Sequence, residues 1–156
     1  MVYVFDSNSL SQIFLSFYPS VFPSFWDKFE EFIRNEQIVS TREVKRELEK
    51  KNFPSVPRWI SEHPNFFETP SEEELSFISE IYLVKHFQQN LELKKRLQEG
   101  AHADPFVIAK AKVMSGSVVT EEKYTPNGAS IPNICEHFNV DCLNLEEFLK
   151  RNNCQW

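Results

Sequence analysis

Four acids sit where the pattern of apolar and polar residues changes: Asp6, Glu47, Asp104 and Glu122. Asp6 ends the apolar run Val2-Tyr3-Val4-Phe5 and opens Asp6-Ser7-Asn8. A β-branched and aromatic run that stops at an acid reads as a buried parallel strand delivering a carboxylate to its carboxyl edge. In open α/β sheets that edge is where ligands bind. Glu122 follows Val118-Val119-Thr120 and should emerge at the same edge, while Glu47 and Asp104 lie near the starts of predicted helices that pack back toward it. Converging carboxylates need a cation between them, and hard oxygen donors suit Mg²⁺ or Mn²⁺. The chemistry indicated is that of a metal-dependent enzyme, with Asn8 and Thr120 supporting the acids or bound water through hydrogen bonds.

Each acid also has a structural role open to it. Asp6 suits a turn or a helix N-cap, and Asp104 before Pro105 suits an N-cap. Glu47 reads equally as a solvated helix acid, and Glu122 as a surface-loop acid. Glu43 shares the face of Glu47, but the capping box Ser40-x-x-Glu43 already employs it. The joint pattern raises the four above these individual readings.

The elements that must position them follow from periodicity and punctuation. Strands are predicted at Val2–Phe5, Gln37-Ile38-Val39, Phe66-Phe67-Glu68, Val118-Val119-Thr120 and Asp141-Cys142-Leu143. Helices are predicted over Leu10–Tyr18, over Phe25–Asn35 capped by Ser24, from the Ser40 box to about Lys51, and near Trp59–His63. Ser71-x-x-Glu74 opens a long helical region to about Glu99, with a break near Gln89-Asn90 and Gly100 as the stop. Further helices are predicted from Asp104-Pro105 through Met114, over Pro132–Phe138, and after the cap Asn144-x-x-Glu147. Strands alternating with helices, without a hairpin signal, imply parallel β-α-β units with helices on both faces of one sheet. The run Lys94-Lys95-Arg96 reads as a solvated face, with phosphate contact as the sharper alternative.

Bulk composition bounds the function classes. The 156 residues suit a single domain over 1–156, and 41% apolar content with 15 Phe and 3 Trp is ample for a core. With only 3 Gly, at positions 100, 116 and 128, there is no place for a glycine-rich phosphate loop, which argues against dinucleotide-binding and Walker-type sites. The 3 cysteines have no C-x-x-C spacing and read as reduced cytosolic thiols, and the 4 histidines form no H-x-x-x-H pair. The N-terminus lacks the features of a signal peptide and no apolar stretch approaches a membrane span, so a cytoplasmic protein without membrane contact is expected. The net charge of −6 argues weakly against coating nucleic acid, although the four candidate ligands account for most of that acidic excess.

At this point the chain resembles a PIN domain, the nuclease fold of VapC-type toxins and related RNA-processing enzymes (PilT N-terminus family). The matching pieces are Val4-Phe5-Asp6-Ser7-Asn8, Glu43-Val44-x-x-Glu47-Leu48, Ala103-Asp104-Pro105-Phe106-Val107-Ile108-Ala109 and Val118-Val119-Thr120-Glu121-Glu122. Phe22-Pro23-x-Phe25-Trp26 and Ile131-Pro132-Asn133-Ile134-Cys135 echo a poorly characterised bacterial PIN-like subfamily. The resemblance implies a three-layer α/β/α sandwich around a parallel sheet of four to five strands. It further implies an acidic pocket that binds Mg²⁺ or Mn²⁺ and hydrolyses RNA. Asp6, Glu47 and Asp104 fall on the family's three central acids. The fourth is usually Asp in a Thr-x-Asp setting, and here it is Glu122, which places it either as a ligand or one shell out. RNA is the implied substrate; an antitoxin protein is the implied partner if the chain is a toxin, and such proteins often form homodimers. The rival reading is a catalytically silent PIN-like interaction scaffold, favoured by weak basicity and by Glu122. An aspartyl phosphatase built on Asp6 is disfavoured because Asn8 breaks its usual Asp-x-Asp.

Overall fold

The structure is a computed structural model and describes residues 1–92 and 102–154. Five short strands form one all-parallel sheet: β1 (Tyr3–Phe5), β2 (Ile38–Thr41), β3 (Phe67–Glu68), β4 (Ser117–Val119) and β5 (Asp141–Leu143), in the order β3-β2-β1-β4-β5. The register pairs Tyr3 with Ile38 on one side of β1 and with Ser117 on the other, and pairs Val119 with Leu143 at the carboxyl end of β4. Helices are α1 (Ser7–Ser16), α2 (Pro23–Arg34), α3 (Arg42–Glu49), α4 (Val56–Glu62), α5 (Glu72–Leu83), α6 (Asp104–Val113), α7 (Ile131–His137) and α8 (Leu145–Arg151). They flank the sheet as a three-layer α/β/α sandwich, as expected from the alternation of apolar runs and capped amphipathic segments.

Alternation along β1 explains how the layers are held. Successive side chains of a strand point to opposite faces. Tyr3 and Phe5 share a face and pack edge-on against Phe148 of α8, at centroid distances of 4.9 and 5.1 Å. Phe5 also meets Phe29 of α2 edge-on, and Phe32 meets Phe148. On the other face, α6 packs across β1, β2 and β4 and against α5 and α7, and its Val107, Ile108, Ala109 and Ala111 are fully buried. The phenylalanine-rich helix α2 is therefore a core element.

Local punctuation differs from expectation at four places. The Ser40 box does not form: Thr41 is the N-cap of α3 and accepts from the Val44 backbone N–H at 3.2 Å, while Ser40 Oγ donates to the Phe5 carbonyl at 2.6 Å. Ser40 is still in the strand, so its hydroxyl is spent tying β2 to β1. Helix α2 begins at Pro23 with Phe22 as N-cap, so Ser24 is already helical; a ring with fixed φ and no N–H suits the first helical position. Asp104 is the first residue of α6, one position inside the cap at Ala103. The long region breaks at Val84, which is extended, followed by a 3₁₀ turn over Lys85–Phe87 and helical residues 88–92. Buried Phe87 anchors that turn against His137 and Phe138. The box at Ser71 and the cap at Asn144 form as expected. Lys94-Lys95-Arg96 and Gly100 lie outside the described residues.

Candidate metal centre

The direction of the chain reverses between β1 and β4: successive strands run outward from β1 to β3, then resume on the other side at β4. Such a switch point leaves a crevice at the carboxyl ends of the strands. Asp6 follows β1 there, and Thr120 to Glu122 follow β4. The two ends are laced together: Asp6 N–H donates to Val119 O at 2.9 Å, and Thr120 Oγ1 lies 3.0 Å from Asp6 Oδ2 and 3.3 Å from Asn8 Oδ1. Asn8 Oδ1 also accepts from Glu121 N–H at 2.9 Å. Asn8 and Thr120 thus tie the loop after β4 to the end of β1.

Asp6 occupies the N-cap position of α1, yet its side chain makes no capping bond. The carboxylate turns instead into the crevice toward Asp104 and Glu122. One oxygen of each of these three acids lies within 4.8 Å of the others. Asp6 and Asp104 are 3% and 2% exposed, and Glu122 is half-buried. Asp6 Oδ1 is buried and has no hydrogen-bond partner. A buried carboxylate oxygen without a donor is costly, and native proteins satisfy such groups with a partner, water or an ion. The Asp6 carboxyl is held well above its ordinary range, first by burial, then by the charges of Asp104, Glu122 and Glu47.

Glu47 stands beside this trio. It comes from the second half of α3, later in its helix than expected, and is buried. Its Oε1 accepts from Ser7 Oγ at 2.7 Å and its Oε2 from the Ala103 backbone N–H at 3.2 Å. Both bonds join α3 to residues adjoining the acids, Ser7 next to Asp6 and Ala103 next to Asp104. The close cluster therefore comprises Asp6, Asp104 and Glu122, with Glu47 bridging their supports.

The neighbouring acids sort themselves by hydrogen bonding. Glu121 Oε1 accepts from the Leu145 N–H at 2.8 Å and so serves the first turn of α8. Glu43 pairs with Arg42 at 2.9 Å and approaches Arg46 at 4.0 Å. Asn90 is a site residue the sequence reading missed. Buried to 3% exposure, it donates through Nδ2 to Asp104 Oδ2 at 2.9 Å and to Ala129 O at 2.8 Å. Tyr82 OH lies 3.4 Å from Asn90 Oδ1 and 3.2 Å from His102 Nε2. The Tyr82 hydroxyl is pushed above its ordinary range by burial and then by Asp104. The hint available was an Asn set among polar residues late in an amphipathic segment, which indicates a helix end as readily as a buried amide.

A family model described as a domain of unknown function (DUF4411) matches residues 3–156. The chain belongs to that family. No curated protein matches it, and no solved structure does. Among the described residues, no helix is long and apolar enough to cross a membrane.

The donor set fits a hard divalent cation. All three close groups are carboxylates, no nitrogen or sulfur donor joins them among the described residues, and Asp6 Oδ1 already lacks a donor.

Proposed function

We propose that this protein is a Mg²⁺- or Mn²⁺-dependent ribonuclease that hydrolyses RNA phosphodiester bonds in the crevice between the ends of β1 and β4. The observation carrying this reading is the convergence of Asp6, Asp104 and Glu122 oxygens within 4.8 Å around a buried, unpartnered Asp6 Oδ1. The resemblance of the motifs around these acids to PIN nucleases supplies the reaction class. Asp6, Asp104 and Glu122 would hold the cation, which when bound activates water for attack and neutralises charge developing on the phosphate. Asn90 aims Asp104 through its amide. Thr120 steadies Asp6, and Glu47 ties Ser7 and Ala103 together behind the two aspartates. Water-mediated attack on the phosphate needs no covalent enzyme intermediate. The three cysteines are free thiols, in keeping with a cytoplasmic, reducing setting.

The test is cleavage of a panel of transfer RNA, ribosomal RNA and oligonucleotides by the purified protein with Mn²⁺. Activity is expected to disappear in EDTA and to fall at least ~10²-fold in Asp6→Asn, because metal activation contributes several kcal/mol of transition-state stabilisation. Glu122→Gln should cost less if its carboxylate acts through water. Inactivity across the panel with Mn²⁺ shown to be bound would favour the silent scaffold. If cleavage is found, growth arrest on expression, relieved by a co-expressed neighbouring gene product, would extend the reading to a toxin with its antitoxin.

A further inference from the structure

A second cleft opens beside the acids. It is bounded by the 3₁₀ turn Lys85–Phe87, the loop after β4 and helix α7, and encloses about 370 Å³. That lies within the range of clefts that take small ligands, roughly 300–1,000 Å³. Its position is fixed relative to the carboxylates by Asn90, whose one amide nitrogen touches both Asp104 Oδ2 and Ala129 O. Gly128, next to Ala129, lines the cleft, and Tyr124, two residues after Glu122, forms part of its wall.

The lining is rich in rings and carries one carboxylate: His86, Phe87, Tyr124 and His137 contribute rings, Asn127 an amide and Glu136 the carboxylate. Among the described residues no Lys or Arg lines it, and Glu136 does, so a phosphate would find repulsion from that carboxylate. A flat, neutral ligand with polar edges fits better. Tyr124 leaves 54% of its surface exposed, although a phenol ring gains from burial. The loop carrying it is already shaped. Asn133 Nδ2 donates to Thr125 O at 2.7 Å, and Asn133 Oδ1 accepts from Thr125 N–H at 3.3 Å. Gly128 N–H donates to Thr125 O at 3.0 Å, and a Cβ at Gly128 would collide with the Thr125 side chain. His86 Nε2 lies 3.0 Å from Gly128 O; a carbonyl only accepts, so Nε2 carries a hydrogen and donates it there. Exposed rings beside an amide and imidazole edges, on a loop held by Asn133, are the equipment for stacking and edge recognition of an unpaired base.

We propose that this cleft is a nucleobase subsite, seating one unpaired base of the RNA beside the phosphate held at the carboxylates. The proposal rests on the ribonuclease reading for what lies next door, and its test is separate. Binding is measured by fluorescence anisotropy with the full chain in Mn²⁺, using a cleavage-resistant phosphorothioate hexauridylate, the matching hexaadenylate, and an abasic hexamer of equal charge. Base–aromatic stacking of about 1–3 kcal/mol per base corresponds to roughly 5- to 140-fold in affinity. At least one base-bearing hexamer should bind about fivefold or more tighter than the abasic one. Tyr124→Ala should erase that difference and Tyr124→Phe should keep it, with abasic binding unchanged in both. Equal affinity for base-bearing and abasic strands, an unaffected Tyr124→Ala, or no binding of any hexamer would each overturn the subsite. Tyr124-dependent binding without cleavage of any RNA would retain the subsite and sink the nuclease. Cleavage whose KM is indifferent to Tyr124→Ala would do the reverse.

Discussion

Replacing Asp6 by Asn tests the metal centre through stability alone. In the metal-free protein the Asp6 carboxyl is buried among Asp104, Glu122 and Glu47, and its Oδ1 has no donor. The substitution is nearly isosteric, so Oδ1 of the amide can keep the bond from Thr120 while the NH₂ replaces the orphaned oxygen and faces two carboxylates. One hydrogen bond to a charged group is worth about 1.5–3 kcal/mol. For a domain of this size each kcal/mol moves Tm by about 2–4 °C, so the apo variant should melt roughly 3–12 °C higher than wild type. Metal binding should act oppositely on the two proteins. Mn²⁺ at 100 times its Kd stabilises the wild-type fold by about 2.7 kcal/mol, or roughly 5–11 °C, whereas Asp6→Asn removes a ligand and should lose most of that shift. Differential scanning fluorimetry with EDTA and with Mn²⁺ supplies all four melting temperatures. A lower apo Tm in the variant, or a Mn²⁺ shift equal to that of wild type, would show that these acids do not share a cation.

Three further outcomes follow from the same contacts. Because the Asp6 carboxyl is raised, the folded state keeps a proton that the unfolded chain releases; apo stability should therefore fall as pH rises from the ordinary value of 3.8 through the raised folded value. Urea midpoints across pH 4.5–8 should show this decline in wild type relative to Asp6→Asn, and parallel curves would contradict it. Asn90→Ala strips donors from Asp104 Oδ2 and Ala129 O, which should cost about 1–3 kcal/mol in urea unfolding and weaken Mn²⁺ binding by calorimetry; unaltered metal affinity would mean that Asn90 does not aim Asp104. Lys110, 4% exposed on α6, pairs with Glu68 at 2.6 Å and Glu74 at 3.5 Å, so Lys110→Ala and Lys110→Met, which keeps the stem, should both cost about 3–5 kcal/mol by leaving buried Glu74 without its cation; a much smaller loss in Lys110→Met by urea melts would point to lost packing instead.

Sequence by itself determined the parts that depend on neighbours along the chain. The five apolar runs are the five strands, because period and β-branching report directly on a buried strand, and the box at Ser71 and the cap at Asn144 form because an N-cap bond reaches only three residues along the chain. Placement of Asp6 at a carboxyl edge was legible for the same reason: a charged residue ends a run that burial would otherwise continue. Competition between adjacent candidates was not legible. Ser40 yields the cap to Thr41 because its hydroxyl is taken by the Phe5 carbonyl across the sheet, and Glu121 is taken by Leu145 N–H while Glu122 stays at the crevice. Asn90 looked like the end of a helix until tertiary structure set its amide between Asp104 and Ala129. The strand order did the rest. By seating β4 beside β1 it brought Glu122 and Thr120 to Asp6, and by laying α6 across both it added Asp104. Local pattern encodes what a residue can offer, but which offers meet is decided by the long-range packing of sheet and helices.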